Sequence, residues 1–322
     1  MNPSELACIG GIVAVDLSIE LGALRLKNPV LVASGTYGWG QQYRDLLDPN
    51  LLGGLITKAV TQHPREGNSP PRIVETSCGL LNSIGLANVG VKAFIREKLP
   101  FLQSLKTTVI VNVAGSTPEE YAEVARQLEG YPGIDALEIN ISCPNVREGG
   151  LAFGSDPKAA LRVLSTVRRT TKRFLIAKLS PNVTDIVAIA ESAVDAGVEA
   201  ISLINTLVGM AIDVPRQRPR LSTVLGGLSG PAIKPVALAM VWKVAQKIDL
   251  PIIGVGGIMT AQDAMEFFLA GASAVEVGTA NFVDPQTPLK IIRGLEEACV
   301  QQGLKRIRQL VGKMVIETDT NI

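Results

Sequence analysis

The segment Ala136-Leu-Glu-Ile-Asn-Ile-Ser-Cys-Pro-Asn145 decides how the chain is read. Leu137, Ile139 and Ile141 alternate with Glu138, Asn140 and Ser142, which predicts a strand over Ala136–Ser142 with one apolar and one polar face. Cys143 then opens a loop that carries Gly149, Gly150 and Gly154. A free cysteine is often only a small buried residue. One at a strand end, before a glycine-rich loop, is equally a candidate for chemistry, and the segment alone leaves both readings open.

Working outward, short apolar runs rich in β-branched residues recur on both sides of this one. They predict strands over Val30–Ser34, Gly54–Ala59, Val109–Ala114, Phe174–Ser180, Ala200–Asn205, Ile252–Val255 and Ala274–Val277. Helix-like stretches lie between them, at Pro118–Leu128, Pro157–Thr170, Asp185–Ala196, Ile233–Ile248 and Ala261–Ala270. Several begin with a capping residue and a proline in the first turn, as in Ser116-Thr-Pro-Glu119 and Ser155-Asp-Pro157. Strand–helix alternation repeated eight times over about 250 residues predicts an α/β fold of the (β/α)8 TIM barrel type, with a doubly wound open sheet as the alternative. An N-terminal β-hairpin within residues 14–27 (arms Ala14–Ile19 and Ala23–Leu26, turning at Leu21-Gly22) would cap the barrel bottom. Residues 30–311 would be the barrel, and no linker divides the 322 residues, which read as one domain.

Composition narrows the function. Hydrophobic residues make up 47% of the chain and the mean hydropathy is +0.27, which implies a large core. A formal net charge of +1 gives no footprint for nucleic acid. No apolar run reaches the roughly 18 to 20 residues needed to span a bilayer, and no secretory leader is visible, so a cytoplasmic location is expected. Cys8, Cys78, Cys143 and Cys299 are far apart, which argues against a metal or iron–sulfur site in this chain. The single histidine, His63, sits in a proline-bounded loop and reads as a loop residue rather than the base of a hydrolase.

In a barrel, function gathers where the strands end. The predicted ends are Ser34, Lys58, Asn112, Asn140 with Cys143, Lys178, Asn205 with Thr206, Gly256-Gly257, and Gly278-Thr279. Glycine clusters after the seventh and eighth strands favour a phosphorylated ligand bound through backbone N–H groups. Gly226-Gly-Leu-Ser-Gly230 reads as a further flexible, donor-rich segment. Lys58 and Lys178 would be Schiff-base nucleophiles or fixed positive charges. Asn82, read in a glycine-bounded loop, joins Asn112, Asn140 and Asn205 in a ring of amides. Such a ring suits a planar ligand with alternating C=O and N–H edges, a pyrimidine or an isoalloxazine. No Gly-x-Gly-x-x-Gly follows a first strand, so NAD is not expected to bind in a Rossmann manner.

From about Val15 to Val311 the chain resembles the class 1B dihydroorotate dehydrogenases. The motifs that carry the likeness are Ala33-Ser-Gly-Thr36, Lys58-Ala59, His63-Pro-Arg65 with Gly67-Asn68, Asn82-Ser-Ile-Gly-Leu86 and Asn112-Val-Ala-Gly115. In the second half they are Asn140-Ile-Ser-Cys-Pro-Asn145, Lys178-Leu-Ser-Pro-Asn182, Asn205-Thr206, Gly227-Leu-Ser-Gly-Pro231, Gly256-Gly257 and Gly278-Thr-Ala-Asn281. The resemblance implies an FMN barrel that oxidises dihydroorotate to orotate in pyrimidine synthesis, with Cys143 as the base. Lys58, Asn82, Ser83, Ile84, Gly85, Leu86, Asn140, Asn205 and Thr206 would hold the substrate. Ser34, Lys58, Ala59, Asn112, Asn140, Lys178, Ile204, Gly230, Gly256, Gly257, Gly278 and Thr279 would line the flavin. It also implies a partner subunit with FAD and a 2Fe–2S cluster, two of each chain forming a heterotetramer that passes electrons to NAD. The family pattern accounts neither for Cys78 nor for the residues before the hairpin. An FMN barrel of the dihydropyrimidine dehydrogenase type, a Schiff-base aldolase and a non-catalytic partner that has kept the barrel but lost the chemistry are the alternatives.

Overall fold

The computed structural model describes residues 15–142, 147–148 and 151–316. Eight parallel strands close into a barrel in strictly sequential order. They are Val30–Val32, Gly54–Ile56, Thr108–Val113, Ala136–Asn140, Phe174–Lys178, Ala200–Leu203, Ile252–Val255 and Ala274–Val277. All eight lie inside the expected segments or within one residue of them; the expected ends run a few residues past the ladder, into the loops that carry the site.

The flanking helices keep their sequence signals. Pro118–Leu128 is capped by Thr117, whose side chain accepts from the N–H of Glu120; Pro157–Arg168 is capped in the same way by Asp156. Ala261–Ala270 begins with a reciprocal Thr260–Asp263 capping box and stops at Gly271, where φ is 116°. Both devices satisfy backbone groups that a helix end leaves unpaired. A closing helix, Thr287–Gln301, was absent from the sequence reading; it buries Ile291, Leu295 and Cys299 against the barrel.

Three readings need correction. The hairpin arms are Ile19–Leu21 and Leu24–Leu26, so the first arm starts later than expected, and Gly22 at φ 57° makes the turn. A Cβ on Gly22 would stand 3.3 Å from the Phe174 ring, which places the turn beneath the fifth barrel strand. Asn82 is not in a loop. It ends the strand Gly79–Asn82, part of a four-stranded antiparallel sheet with Ile73–Thr76, Leu207–Met210 and Leu225–Ser229. The glycine-rich segment at 226–230 is therefore mostly strand, and glycine there serves close packing: a Cβ on Gly227 would meet Thr206 Oγ1 at 2.1 Å.

The polar face of the strand Ala136–Asn140 is also not a solvent face. All five residues are buried, Glu138 completely. In a parallel barrel one face packs under helices and the other fills the interior, so Glu138 and Asn140 point into a polar barrel core.

Candidate active site

A cavity of about 490 Å³ opens at the C-terminal ends of the strands. It is lined by every residue that the sequence reading assigned to substrate or cofactor, from Ser34 at the first strand to Thr279 at the eighth. Cys143 lies outside the described residues. His63 is exposed and lines no part of this cavity. Cys78 is exposed in the turn before Gly79, and its carbonyl accepts from the N–H of Ala232.

One side of the cavity is a wall of amides. Asn112 Nδ2 donates to Glu138 Oε1 at 2.6 Å, and Asn140 Nδ2 donates to Asn112 Oδ1 at 3.5 Å. Asn140 Oδ1 accepts from Ser142 Oγ at 2.8 Å and from Asn205 Nδ2 at 3.5 Å, while Asn205 Nδ2 also donates to Ser142 Oγ at 2.5 Å. The Tyr121 hydroxyl donates to the carbonyl of Asn140 at 2.8 Å and anchors the strand end from outside. These bonds hold the fourth and sixth strand ends against one another, immediately before the position of Cys143.

Lys178 rises from the fifth strand with its Nζ 2.7 Å from Glu276 Oε2 and 3.8 Å from Glu138 Oε2. All three side chains are 0–4% exposed. Burial works against the charge on Lys178, but the two carboxylates outweigh it and hold the ammonium above its ordinary value. Two carboxylates share one cation, so the trio keeps an extra proton. Burial, and then the charge of Glu138, push Glu276 up to about 8. Neither glutamate was singled out from the sequence. In Ala274-Val-Glu-Val277 a lone polar residue inside an apolar run carries no signal of its partner.

The proton has a consequence for stability. The folded chain holds it at a pH where an unfolded glutamate, with its ordinary value of 4.5, has released it. Folded protein therefore binds more protons between about 4.5 and 8, and this contribution to stability falls as pH rises through that window. Glu276→Gln, which needs no proton, should flatten the decline. Thermal unfolding of both proteins between about pH 5 and 8 checks it; parallel slopes would mean that the pair shares no proton.

Lys58 follows the second strand, half-buried in the cavity wall. Burial, assisted by the nearby charge of Arg72, holds its pKa below the ordinary lysine value. Arg72 lines the same end of the cavity and was missed by the sequence reading. It is held by the carbonyl of Asn68 at 3.2 Å. Ser83, on the loop after Asn82, has a buried hydroxyl without a partner among the described residues.

At the other end the rim is backbone. Gly256 and Gly257 adopt φ of 130° and 72°, and a Cβ on Gly257 would meet the carbonyl of Gly230 at 2.9 Å. Gly278 differs: a Cβ there would meet nothing nearer than Ala33 Cβ at 3.7 Å, whereas Gly35, with open space around it, is called for by its φ of 78°. No protein neighbour demands glycine at the cavity-lining Gly278; a ligand pressed against the backbone would. Among the described residues no three His, Cys, Asp or Glu side chains form a metal site.

A closed (β/α)8 barrel with one large cavity at its strand ends, walled by amides and cations, defines a barrel enzyme with its active site in the usual place for the fold. The chain belongs to the dihydroorotate dehydrogenase family, whose model matches residues 16–299. It is 55% identical over 300 residues to the dihydroorotate dehydrogenase B (NAD(+)), catalytic subunit, of Geotalea uraniireducens, covering 93% of this chain and 98% of that one. The proteins of the same description from Pelobacter propionicus and Geobacter sulfurreducens are 54% and 52% identical, over 93% and 94% of this chain and 98% and 99% of theirs. Residues 16–299 span the whole barrel, so the resemblance read from the motifs extends to the full fold.

Proposed function

We propose that the chain is the catalytic subunit of an NAD-linked dihydroorotate dehydrogenase, oxidising (S)-dihydroorotate to orotate for pyrimidine synthesis. The observation that carries the reading is the cavity itself, which gathers Lys58, Asn82, Asn112, Asn140, Lys178 and Asn205 with the glycine rim in one space. FMN fits these residues. The unhindered Gly278 and the backbone at Gly256, Gly257 and Thr279 suit its phosphate end, and Lys178 with Asn112 and Asn140 supplies a cation and amides for its ring. Bound there, FMN supplies a hydride acceptor for C6 of the substrate.

The chain's own residues do the rest. Lys178 offers a fixed positive charge to the flavin. Asn82, Ser83, Asn140, Asn205 and Thr206 orient the pyrimidine ring, the free hydroxyl of Ser83 being one donor still to be used. Cys143, as thiolate, takes the C5 proton. Lys58 and Arg72 bring two cations to the substrate end, which favours a carboxylate-bearing substrate over an uncharged pyrimidine. The electrons would leave through a partner subunit carrying FAD and a 2Fe–2S cluster, in a heterotetramer of two catalytic and two partner chains. A cytoplasmic location goes with this reading, and no helix among the described residues is long and apolar enough to cross a membrane.

The test is dihydroorotate oxidation with NAD, fumarate or a quinone as acceptor, with and without the co-expressed partner. NAD should serve only when the partner is present. Activity with fumarate alone would contradict the NAD-linked assignment. Lys58→Ala should weaken orotate binding by about ten- to a hundredfold, the worth of a charged hydrogen bond, while FMN content stays near stoichiometric. Borohydride with substrate should trap no adduct at Lys58; a trapped imine would turn the reading towards Schiff-base chemistry.

A further inference from the structure

Two carboxylates flank Lys178 in the barrel interior, Glu276 at 2.7 Å and Glu138 farther off at 3.8 Å. The short contacts of Glu138 lie elsewhere: Asn112 Nδ2 donates to it at 2.6 Å and Ser202 Oγ at 3.3 Å. Glu138 is fully buried and lines no part of the cavity.

A side-chain amide has two orientations of nearly equal shape and opposite polarity, so something must choose between them. Here Glu138 Oε1 makes the choice, accepting from Asn112 Nδ2 at 2.6 Å. It therefore fixes the NH₂ of Asn112 towards the barrel core and its Oδ1 towards the neighbouring strand. Asn112 Oδ1 then accepts from Asn140 Nδ2, which turns Asn140 Oδ1 towards Ser142 and Asn205. The direction of each amide follows from the one behind it, and the series begins at Glu138.

We propose that Glu138 is a positioning residue for the active site, a buried acceptor whose oxygen on Asn112 sets the donor and acceptor pattern which Asn112, Asn140 and Asn205 present to the bound ring. This rests on the functional reading above. It also gives the second carboxylate beside Lys178 a task of its own, since one of its oxygens faces Asn112 and the other faces Lys178.

Three substitutions at this position separate contact from charge. Glu138→Gln loses the charge but keeps an oxygen within reach of Asn112. Glu138→Asp keeps the charge and stops one methylene short. Glu138→Met loses both, yet leaves Lys178 in a one-to-one pair with Glu276 rather than stranding a buried charge. Orotate is titrated into each FMN-saturated protein and binding is read from the flavin absorbance. Met and Asp should weaken orotate by about tenfold, the effect of one misdirected hydrogen bond, and Gln should stay within about threefold of the parent. An Asp variant that binds as the parent does, or a Gln variant as weak as Met, overturns the proposal. Should the Met variant fail to fold, Asp and Gln decide the matter between them. A parent protein that does not take up orotate overturns the functional reading itself, and this inference with it.

Discussion

Cys143→Ala is expected to abolish most turnover, by a factor of about 10² to 10⁴, while FMN content and orotate affinity stay close to those of the parent. The size follows from removing a general base and nothing else. The amides that would bind the ring are bonded to one another, through Asn112, Asn140, Ser142 and Asn205, and none of those bonds passes through the thiol. Asn205, just past the sixth strand, bonds Ser142 and so holds the chain at the position before residue 143. Single-turnover reduction of the flavin by dihydroorotate separates the chemical step from product release. A variant that reduces its flavin within a few fold of the parent rate would remove Cys143 from the role of base.

Lys178→Met is expected to destabilise the apoprotein by about 3–5 kcal/mol, because it strips two buried carboxylates of their only cation among the described residues. For a chain of this length that corresponds to a drop in Tm of roughly 4–7 °C. The loss should grow with pH. Lys178 lowers the pKa of Glu276, so without the ammonium Glu276 keeps its proton to higher pH, and the free energy needed for that rises as the solution becomes more alkaline. Calorimetry of the apoprotein on either side of neutrality tests both parts at once, free of any contribution from bound flavin. An unchanged Tm would mean that the Lys178 contacts contribute nothing net; an equal loss at all pH values would mean that Glu276 does not hold the proton.

The barrel was legible because its period is long and repeated. One apolar run such as Ile252–Val255 could belong to any fold, but eight of them, each followed by a polar or glycine terminus, fit few. The cavity was legible for the same reason: strand ends such as Lys58, Asn112 and Lys178 are brought together by closure alone, whatever the loops do. What could not be read depended on partners distant in sequence. Glu138 read only as part of the polar face of a strand, and its bond to Asn112 and its approach to Lys178 show that face to be interior. Glu276 was a single letter in an apolar word. Asn82 and Gly226–Gly230 read as loops because glycine is poor in strands in general. They pair because Gly227 has to lie flat against Thr206, a requirement that no local pattern encodes. Arg72 carried no motif and became visible only as a neighbour of Lys58.

The small antiparallel sheet joins chain segments that are remote from one another, Gly227 pairing with Asn82 across 145 positions. Closing a loop of that size is entropically unfavourable until the intervening chain is already compact. Barrel closure asks still more, since its first and eighth strands pair Val30 with Val275, 245 positions apart. Both closures need residues beyond position 224, so the first six strands alone hold neither a sealed barrel nor a walled cavity.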